Sequence, residues 1–323
     1  MKAAVYRKFG PPEVVKIEEV PKPAPKPDQV LIRIHAASVS IADHRLRAMD
    51  LPKGMGYMGP LALGVFGPRK PVLGMDGTGI IESVGTGVTK FKSGDEVIFL
   101  TSADFGCHAE YICLSETAVI APKPKNMTFA EAASLLFGGT TALNYLRRAD
   151  IKPGDEVLVN GASGSCGTAA VQLAKHMGAV VTGVCSGRNA DLVRSLGADH
   201  IIDYTQQDFA TSGKTYDVIV ECVGNATFAR VDKVIKPGGA LLIVIPNLSA
   251  LLFSKRRSRK SGKLVTAADW KATAKDAVYL SELAEKGIFK PVIDRTFPFD
   301  DIVAAHRVVD TGHKVGNIIV TML

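Results

Sequence analysis

The segment 160–167, with the sequence NGASGSCG, constrains the fold of this chain more than any other part. The apolar run 156–159 precedes it and a helix-like segment, 168–175, follows it. A strand, a tight glycine turn and a helix in this order bind phosphate, because glycine lets the backbone approach a pyrophosphate and the helix N-terminus offers free N–H groups. We therefore predict a dinucleotide-binding turn whose residues are Gly161, Ala162, Ser163, Gly164, Ser165, Cys166 and Gly167.

The second apolar run, residues 180–185, indicates which dinucleotide binds. Sites that prefer NAD carry an Asp or Glu at the end of this run, where it accepts hydrogen bonds from the adenine ribose. Here the run ends in Ser186, Gly187 and Arg188. An arginine suits a 2′-phosphate because its guanidinium offers a charge-assisted fork of donors. The sequence therefore predicts NADPH as the cofactor, and the alternative is that Arg188 is a solvated charge at the start of the next helix.

The length of 323 residues exceeds the size at which one hydrophobic core normally stops growing, so two domains are expected. Residues 1–122 carry short β-branched or alternating runs broken by Pro and Gly, which is typical of a mostly β domain. Strands alternate with helices in residues 123–268, which predicts an α/β Rossmann domain with a doubly wound parallel sheet. Residues 269–323 are predicted to return to the first domain. The predicted Rossmann strands are 156–160, 180–185, 200–203, 217–221 and 240–245.

Composition excludes several classes of protein. The chain is 46% hydrophobic and 22% charged, which is typical of a globular protein. No signal peptide or apolar run of membrane length is visible, so we predict a cytoplasmic protein without a membrane partner. The net charge is +7, but the basic run 255–260 has no interleaved aromatic residues. We therefore predict a solvated loop there and no nucleic-acid partner.

The five cysteines are odd in number and have no CxxC spacing, which indicates neither a disulfide framework nor a structural zinc lobe. Cys166 stands at a predicted helix N-terminus, where the pKa of a thiol is often lowered. Its expected role is packing under the cofactor, and a redox role is the alternative.

Seven further segments carry a family resemblance over nearly the whole chain. They are 1–5 (MKAAV), 74–85 (GMDGTGIIESVG), 92–97 (KSGDEV), 130–133 (AEAA), 152–159 (KPGDEVLV), 197–199 (GAD) and 236–239 (KPGG). With them the sequence resembles the zinc-independent quinone oxidoreductase-like branch of the medium-chain dehydrogenase/reductase superfamily. The resemblance implies a GroES-like catalytic domain, an inserted Rossmann domain, and a cleft between them where the nicotinamide meets the substrate.

The resemblance also locates the positions that hold the catalytic zinc in alcohol dehydrogenases of this superfamily. The ligands there are a Cys, a His followed by an acid, and a second Cys, and the matching residues here are Ser40, Met75 and Phe137. A hydroxyl, a thioether and a phenyl do not replace thiolate and imidazole as zinc ligands. We therefore predict that the catalytic metal is absent.

Roles for further residues follow from the resemblance. Tyr204 is implied to lie at the adenosine, and Ser40 to donate a hydrogen bond to the substrate oxygen. Asn317 replaces the lysine of a common Gly-Lys pair, which keeps a donor but drops a charge. The residues implied to lie near the nicotinamide or the cleft are Thr141, Val223, Ile245, Pro246 and Asn317.

Some of these residues have structural alternatives. Tyr204 is also suited to cap the end of a sheet, and Thr141 to start a helix. Asp43, close to Ser40, is more readily explained as a helix cap or as a partner of Arg45 or Arg47.

Without zinc the chain lacks the Lewis acid that stabilises an alkoxide, whereas reduction of a conjugated carbonyl places charge on a delocalised oxygen. We therefore predict an NADPH-dependent reductase of quinones or α,β-unsaturated carbonyls with a small hydrophobic substrate. One alternative is an NADP-dependent alcohol or aldehyde dehydrogenase. The other is a non-catalytic NADPH-binding protein whose basic run recruits a partner or RNA.

The long segment 49–71 mixes glycines with apolar residues, among them Tyr57 and Met58. Such a segment is typical of a lid over a substrate cleft, and the alternative is packing on the body or on a partner subunit. The family implies a homodimer, and we predict that edge strands near 240–245 join the two subunits.

Overall fold

The computed structural model of the chain describes residues 1–56, 59–267 and 271–322. Its helices are α1 (Ile41–Ala48), α2 (Gly59–Leu63), α3 (Phe129–Ala132), α4 (Leu136–Ala149), α5 (Ser165–His176), α6 (Ala190–Ser195), α7 (Phe228–Val231), α8 (Leu248–Ser261), α9 (Ala274–Glu285) and α10 (Ile302–Asp310). Its strands are β1 (Lys2–Tyr6), β2 (Val15–Glu19), β3 (Gln29–Val39), β4 (Asp76–Val84), β5 (Glu96–Leu100), β6 (Tyr111–Ser115), β7 (Val119–Pro122), β8 (Glu156–Asn160), β9 (Val180–Cys185), β10 (His200–Asp203), β11 (Tyr216–Glu221), β12 (Ile235–Ile243), β13 (Leu264–Ala267), β14 (Ile293–Pro298) and β15 (Asn317–Thr321).

A six-stranded parallel sheet forms the nucleotide domain, in the order β10-β9-β8-β11-β12-β13. This is the strand order of a doubly wound dinucleotide fold, in which the first strand lies inside the sheet and ligands bind beyond the carboxyl ends of the strands. The short apolar runs are buried, with Val157, Leu158 and Val159 of β8 all at 0% exposure, because helices cover both faces of such a sheet. The predicted Rossmann fold is confirmed, and β8, β9 and β10 have the predicted bounds.

The catalytic domain contains a seven-stranded sheet with the path β14-β15-β3-β4-β5-β7, to which β6 adds by pairing with β3. β15 pairs antiparallel with β3, so that Ile318 lies opposite Val39. The last strands therefore lie in the same sheet as the first part of the chain. The domain boundaries 1–122, 123–268 and 269–323 stay predictions, and the second falls on residues 268–270, which lie outside the described residues.

The basic run 255–260 lies on helix α8, so the predicted loop was wrong. The Asn247 side chain caps the helix by accepting a hydrogen bond from the N–H of Ala250 at 2.8 Å, and Gly262 ends it with a φ of 68°. Ala250 and Ser254 are buried one turn apart. Charge density alone suggested a loop, but the cap residues and the buried turn determine the helix. No helix in the part of the chain that the structure describes is long and apolar enough to cross a bilayer.

The edge strand predicted near 240–245 was also wrong. β12 pairs on one side with β11 and on the other with β13, and β13 is the edge. The sequence did not reveal β13 because it is a run of four residues directly after a polar helix end.

Candidate nucleotide and active site

A groove of about 760 Å³ lies where the carboxyl ends of β8, β9 and β11 meet. Two of its walls come from the glycine turn and from the segment after β9, as the sequence predicted. The predicted residues that line it are Gly161, Ser163, Gly164, Ser186, Arg188, Tyr204, Val223 and Ile245. Residues from five separate segments are thus brought to one surface at the place where this fold binds nucleotides.

The glycines of the turn have different functions. Gly161 has a φ of +84°, which favours glycine, and a Cβ there would lie 2.8 Å from Cγ2 of Val223. A Cβ on Gly167 would overlap the carbonyl oxygen of Gly161. At Gly164 the nearest atom to a Cβ is the carbonyl oxygen of Gly161 at 3.6 Å, an ordinary van der Waals contact, and this position lines the groove. The turn is therefore closed on its inner side and leaves room for a ligand at Gly164.

Helix α5 directs its N-terminus to this space. Gly164 is its N-cap and no side chain caps it, so the first N–H groups have no intrahelical acceptor and are free to bind an anion. Ala162 is buried beneath the turn. Ala162, Ser165, Cys166 and Gly167 do not belong to the lining of the groove.

The structure does not favour the alternative of a redox-active Cys166. Burial raises the pKa of this thiol to about 11, despite the nearby Lys314 and Arg45. Desolvation of a thiolate outweighs the favourable helix terminus here. Cys166 is therefore a neutral thiol at the turn, which agrees with its expected packing role.

Four cationic side chains line the groove, and sequence reasoning found one of them. Arg188 follows β9 as predicted, whereas Arg45, Arg230 and Lys314 come from distant segments. Arg230 is paired with Asp208 at 2.8 Å. The excess of positive charge, together with the free helix terminus and the groove-lining position of Gly164, fits a dinucleotide phosphate ligand.

An acidic residue that the sequence did not indicate, Asp203, lies near the segment after β9. A Cβ on Gly187 would lie 2.6 Å from Oδ2 of Asp203, which ends β10. The Asp203 carboxylate accepts hydrogen bonds from the N–H and hydroxyl of Thr205 at 2.9 and 2.8 Å, and these bonds lower its pKa. Asp203 is absent from the groove lining, so Ser186 and Arg188 remain the groups that face a ligand there.

The other predicted cofactor residues lie outside the groove lining. Thr141 is inside α4 and not at its start, and its hydroxyl donates to the carbonyl oxygen of Phe137 at 2.7 Å. The Asn317 side chain donates to the carbonyl oxygen of Val292 at 3.0 Å. Pro246 is likewise not part of the lining. Contact of these residues with the cofactor stays a prediction.

Ser40 is the N-cap of α1. Its hydroxyl donates to Oδ2 of Asp43 at 2.7 Å and accepts from the N–H of Ala42 at 3.2 Å. Asp43 in turn accepts from the N–H groups of Ser40 and Gly74 at 2.7 and 2.8 Å. Asp43 is therefore a buried helix cap, as its structural alternative states, and the proton of Ser40 is already used within this cap.

Of the other two family ligand positions, Met75 is buried and Phe137 is partly buried. The Asp76 carboxylate, beside Met75, accepts hydrogen bonds from the hydroxyl of Ser38 and from the N–H of Phe137, the latter at 2.9 Å. Burial raises the pKa of Asp76 to about 7. In the residues that the structure describes, no three His, Cys, Asp or Glu side chains are grouped as a metal site requires.

The family of the chain follows from comparison with known proteins. The alcohol dehydrogenase GroES-like domain family matches residues 26–125, and the zinc-binding dehydrogenase family matches residues 196–320. The chain is 35% identical to a 2-methylene-furan-3-one reductase of Solanum lycopersicum, which covers 99% of this chain and 79% of that protein. It is 32% identical to a chloroplastic NADPH-dependent alkenal/one oxidoreductase of Arabidopsis thaliana, with the same coverage.

The same similarity holds in three dimensions. The quinone oxidoreductase from Coxiella burnetii superposes with a TM-score of 0.87 at 29% identity, over 100% of this chain and 99% of that one. The chain belongs to the quinone oxidoreductase-like proteins of the medium-chain dehydrogenase/reductase superfamily. The predicted family and fold are thus confirmed, and the chain is an oxidoreductase.

In this quinone oxidoreductase-like fold, a second cavity of about 1200 Å³ lies on another side of α1. Ile41 and Arg45 line the nucleotide groove, whereas their neighbours Ala42 and Leu46 line this cavity. Its other apolar lining residues include Tyr6, Leu63, Met75, Leu100 and Phe105. Helix α1 therefore separates a cationic groove from an apolar cavity, and Met75, one of the vacated ligand positions, opens onto the latter.

The segment 49–71 of the oxidoreductase contributes to this cavity through Leu63, Arg69 and Lys70. It also reaches the nucleotide domain, because the carbonyl oxygen of Lys53 accepts a hydrogen bond from the N–H of Leu248 at 3.1 Å. Phe66 is fully exposed. Tyr57 and Met58, which entered the lid prediction, lie outside the described residues. The segment forms part of a cavity wall, and its movement as a lid stays a prediction.

Proposed function

We propose that this oxidoreductase transfers a hydride from NADPH to quinones or α,β-unsaturated carbonyls without a metal ion. One observation carries the proposal: where the family resemblance implies zinc ligands, this chain has the non-ligating residues Ser40, Met75 and Phe137, and Met75 lines the apolar cavity. The zinc-binding dehydrogenase family matches residues 196–320, a range that contains none of these three residues. A serine hydroxyl, a thioether and a phenyl ring do not form a zinc site.

The nicotinamide cofactor is proposed to be NADPH rather than NADH. Ser186 and Arg188 line the groove after β9, and β9 itself ends without an acid. A guanidinium there attracts a 2′-phosphate, whereas the ribose of NADH gives it no anionic partner. The printed name of the Arabidopsis relative, an NADPH-dependent oxidoreductase, supports the same choice.

The chain provides binding and orientation for this reaction. A bound nicotinamide supplies the hydride, which is the difficult part of the chemistry. A quinone or enone accepts it with the negative charge spread over a conjugated oxygen, so no Lewis acid is required. The Ser40 hydroxyl donates its hydrogen bond to Asp43, so we propose that solvent supplies the proton that completes the reduced product. Ser40 could donate a proton to the substrate only after its hydrogen bond to Asp43 breaks.

The acceptor is proposed to bind in the apolar cavity beside α1. Met75, Leu100 and Phe105 give this cavity an apolar lining that suits a hydrophobic carbonyl or quinone. The names of the tomato and Coxiella relatives, an enone-type reductase and a quinone oxidoreductase, agree with this acceptor class.

The test is a panel of quinones, enones, saturated ketones and alcohols, with NADPH oxidation or NADP⁺ reduction followed optically. We expect turnover with quinones or enones and a higher kcat/KM with NADPH than with NADH. Turnover restricted to alcohols would favour the dehydrogenase alternative. Tight NADPH binding without turnover on any acceptor would favour a non-catalytic binding protein.

The homodimer is retained as a proposal that rests on the family resemblance, and the cytoplasmic location as a proposal made from the sequence. If subunits join through a sheet edge, the strands available in the nucleotide domain are β10 and β13, and not β12. Light scattering measures the mass directly, and we expect twice the mass of one chain.

A further inference from the structure

A lysine that the sequence did not single out, Lys314, lies in the nucleotide groove beside the glycine turn. Its Nζ donates hydrogen bonds to Oγ of Ser165 at 2.6 Å and to the carbonyl oxygen of Gly316 at 2.5 Å. Ser165 is the first residue of α5, and free N–H groups at a helix N-terminus bind anions. The ammonium and the helix terminus therefore meet at the same end of the groove.

Lys314 has no ion-pair partner in the part of the chain that the structure describes. Among the described residues no carboxylate forms an ion pair with its Nζ. The nearby Asp294 accepts a hydrogen bond from the N–H of Val315 at 2.9 Å and contacts Nε of Arg295 at 3.5 Å. Burial lowers the pKa of Lys314 to about 8. A desolvated ammonium without a counter-ion is unfavourable, and an anionic ligand in the groove relieves this cost.

We propose that Lys314 binds the pyrophosphate of the cofactor, its ammonium supplying the positive charge where the first N–H groups of α5 supply hydrogen bonds. The inference rests on the proposed function, because it requires a dinucleotide in this groove. It also explains why this chain tolerates Asn317 at the position where the family resemblance implies a lysine. Asn317 is bonded to Val292, and the cation enters the groove three residues earlier in the chain.

The two groups that hold the pyrophosphate come from different domains. The turn belongs to the parallel sheet, whereas Lys314 precedes β15 of the catalytic-domain sheet. The N–H of Gly316 donates to the carbonyl oxygen of Ser163 at 2.8 Å, which joins the two segments directly. The charge of the cofactor therefore strengthens a junction between the domains.

The surroundings of Lys314 determine what pH does to this site. The titratable and charged groups around it are Cys166 on α5, Arg45 on α1, Asp294 and Arg295 on β14, and the adjacent His313. Cys166 remains a neutral thiol, since its pKa is raised to about 11. An arginine stays protonated throughout the accessible range. Lys314 is thus the cation that loses charge as the pH rises above 8.

The experiment measures dissociation constants of ADP-ribose, NADH and NADPH by calorimetry at pH 7 and pH 9.5. ADP-ribose carries the pyrophosphate but neither the nicotinamide nor the 2′-phosphate, so it isolates this contact. The proteins are the wild type, Lys314→Met, Lys314→Arg and the matched control Arg188→Ala. Thermal melting checks that each variant is folded.

We expect Lys314→Met to weaken all three ligands by about tenfold or more at pH 7, the effect of one lost charge-assisted hydrogen bond. Arg188→Ala weakens only NADPH. Wild-type affinity for ADP-ribose falls from pH 7 to pH 9.5, whereas Lys314→Arg binds with little pH dependence because its charge persists.

The proposal is overturned if Lys314→Met folds and binds ADP-ribose as the wild type does. It is equally overturned if the affinity of the wild type for ADP-ribose does not change between pH 7 and pH 9.5. Lys314 would then only connect Ser165 to Gly316 within the protein. This second test needs no variant, so it can be made even if Lys314→Met does not fold. ADP-ribose binding with the expected variant effects, but no quinone or enone turnover, would refute the proposed function and retain the Lys314 assignment. A wild type that binds none of the ligands refutes both.

Discussion

The nucleotide groove and the apolar cavity lie on different sides of α1, and they are built in different ways. The groove depends on backbone: a positive φ at Gly161, close packing at Gly167 and free N–H groups at the start of α5. The cavity depends on side chains from distant segments, among them Leu46, Met75 and Leu100. Glycine positions are readable in a sequence, whereas the shape of a side-chain cavity is not. The binding of a dinucleotide is therefore better defined than the identity of the acceptor.

The largest effect is expected from the backbone of the groove. Gly167→Ala places a Cβ on the carbonyl oxygen of Gly161, so we expect a loss of about 1–3 kcal/mol in the free energy of unfolding, together with weakened cofactor binding. Gly164→Ala is the matched control, because its Cβ would make only an ordinary van der Waals contact with the carbonyl oxygen of Gly161, at 3.6 Å. It should leave stability nearly unchanged and lower only affinity. Urea unfolding and calorimetry of both variants check this, and equal destabilisation would contradict the assigned functions of the two glycines.

The next effect concerns the choice of dinucleotide. Arg188→Ala should lower NADPH affinity by about tenfold, because a charge-assisted hydrogen bond to the 2′-phosphate is lost. NADH affinity should hardly change, since it has no such phosphate. Fluorescence titration with both cofactors measures the ratio. A parallel loss for both would show that Arg188 acts elsewhere, as in its solvated-charge alternative.

Two adjacent residues on α1 divide the groove from the cavity. Arg45→Gln should lower the affinity for the cofactor, because Arg45 lines the groove, and should leave the KM of the acceptor nearly unchanged. Leu46→Ala should raise the acceptor KM by several-fold, about the effect of one buried methylene group, with cofactor affinity unchanged. Steady-state kinetics with a bulky enone, combined with cofactor titration, separates the two. Coupled changes in both variants would mean that the acceptor does not occupy this cavity.

The smallest effect concerns the anchoring of α1 to α10. Arg47 pairs with Asp310 there, and burial holds the pKa of the neighbouring His306 well below its ordinary value of 6.5. The unfolded chain takes up a proton at His306 as the pH falls below 6.5 and the folded chain does not, so stability is lost on acidification. Below pH 6.5, the free energy of unfolding of the wild type should fall, relative to that of His306→Leu, by up to about 1.4 kcal/mol per pH unit.

Urea unfolding of both proteins at pH 7.5 and pH 5.5 measures this difference. Comparison with the variant removes the separate contribution of Asp76, whose raised pKa acts in the opposite sense. A stability difference that is independent of pH would show that His306 takes up its proton in the folded chain as readily as in the unfolded chain.

The same contrast explains which structural features were predictable. The bounds of β8, β9 and β10 could be read from short apolar runs between turn residues, and the glycine turn located the groove. Helix α8, which contains the basic run 255–260, was not predicted because the high charge density suggested a loop and the cap at Asn247 was not recognised. Lys314 was missed because only the return of β15 to the first sheet brings it to the turn. Contacts made by chain topology leave no local pattern in the sequence.

The central claim is that hydride transfer here needs no metal. The direct measurement is kcat/KM for NADPH-dependent reduction of a quinone or conjugated enone before and after exhaustive chelation, with metal content determined on the same samples. The account predicts unchanged activity in protein that contains no stoichiometric metal and no gain on adding zinc. Activity that disappears on chelation and returns with zinc would contradict it.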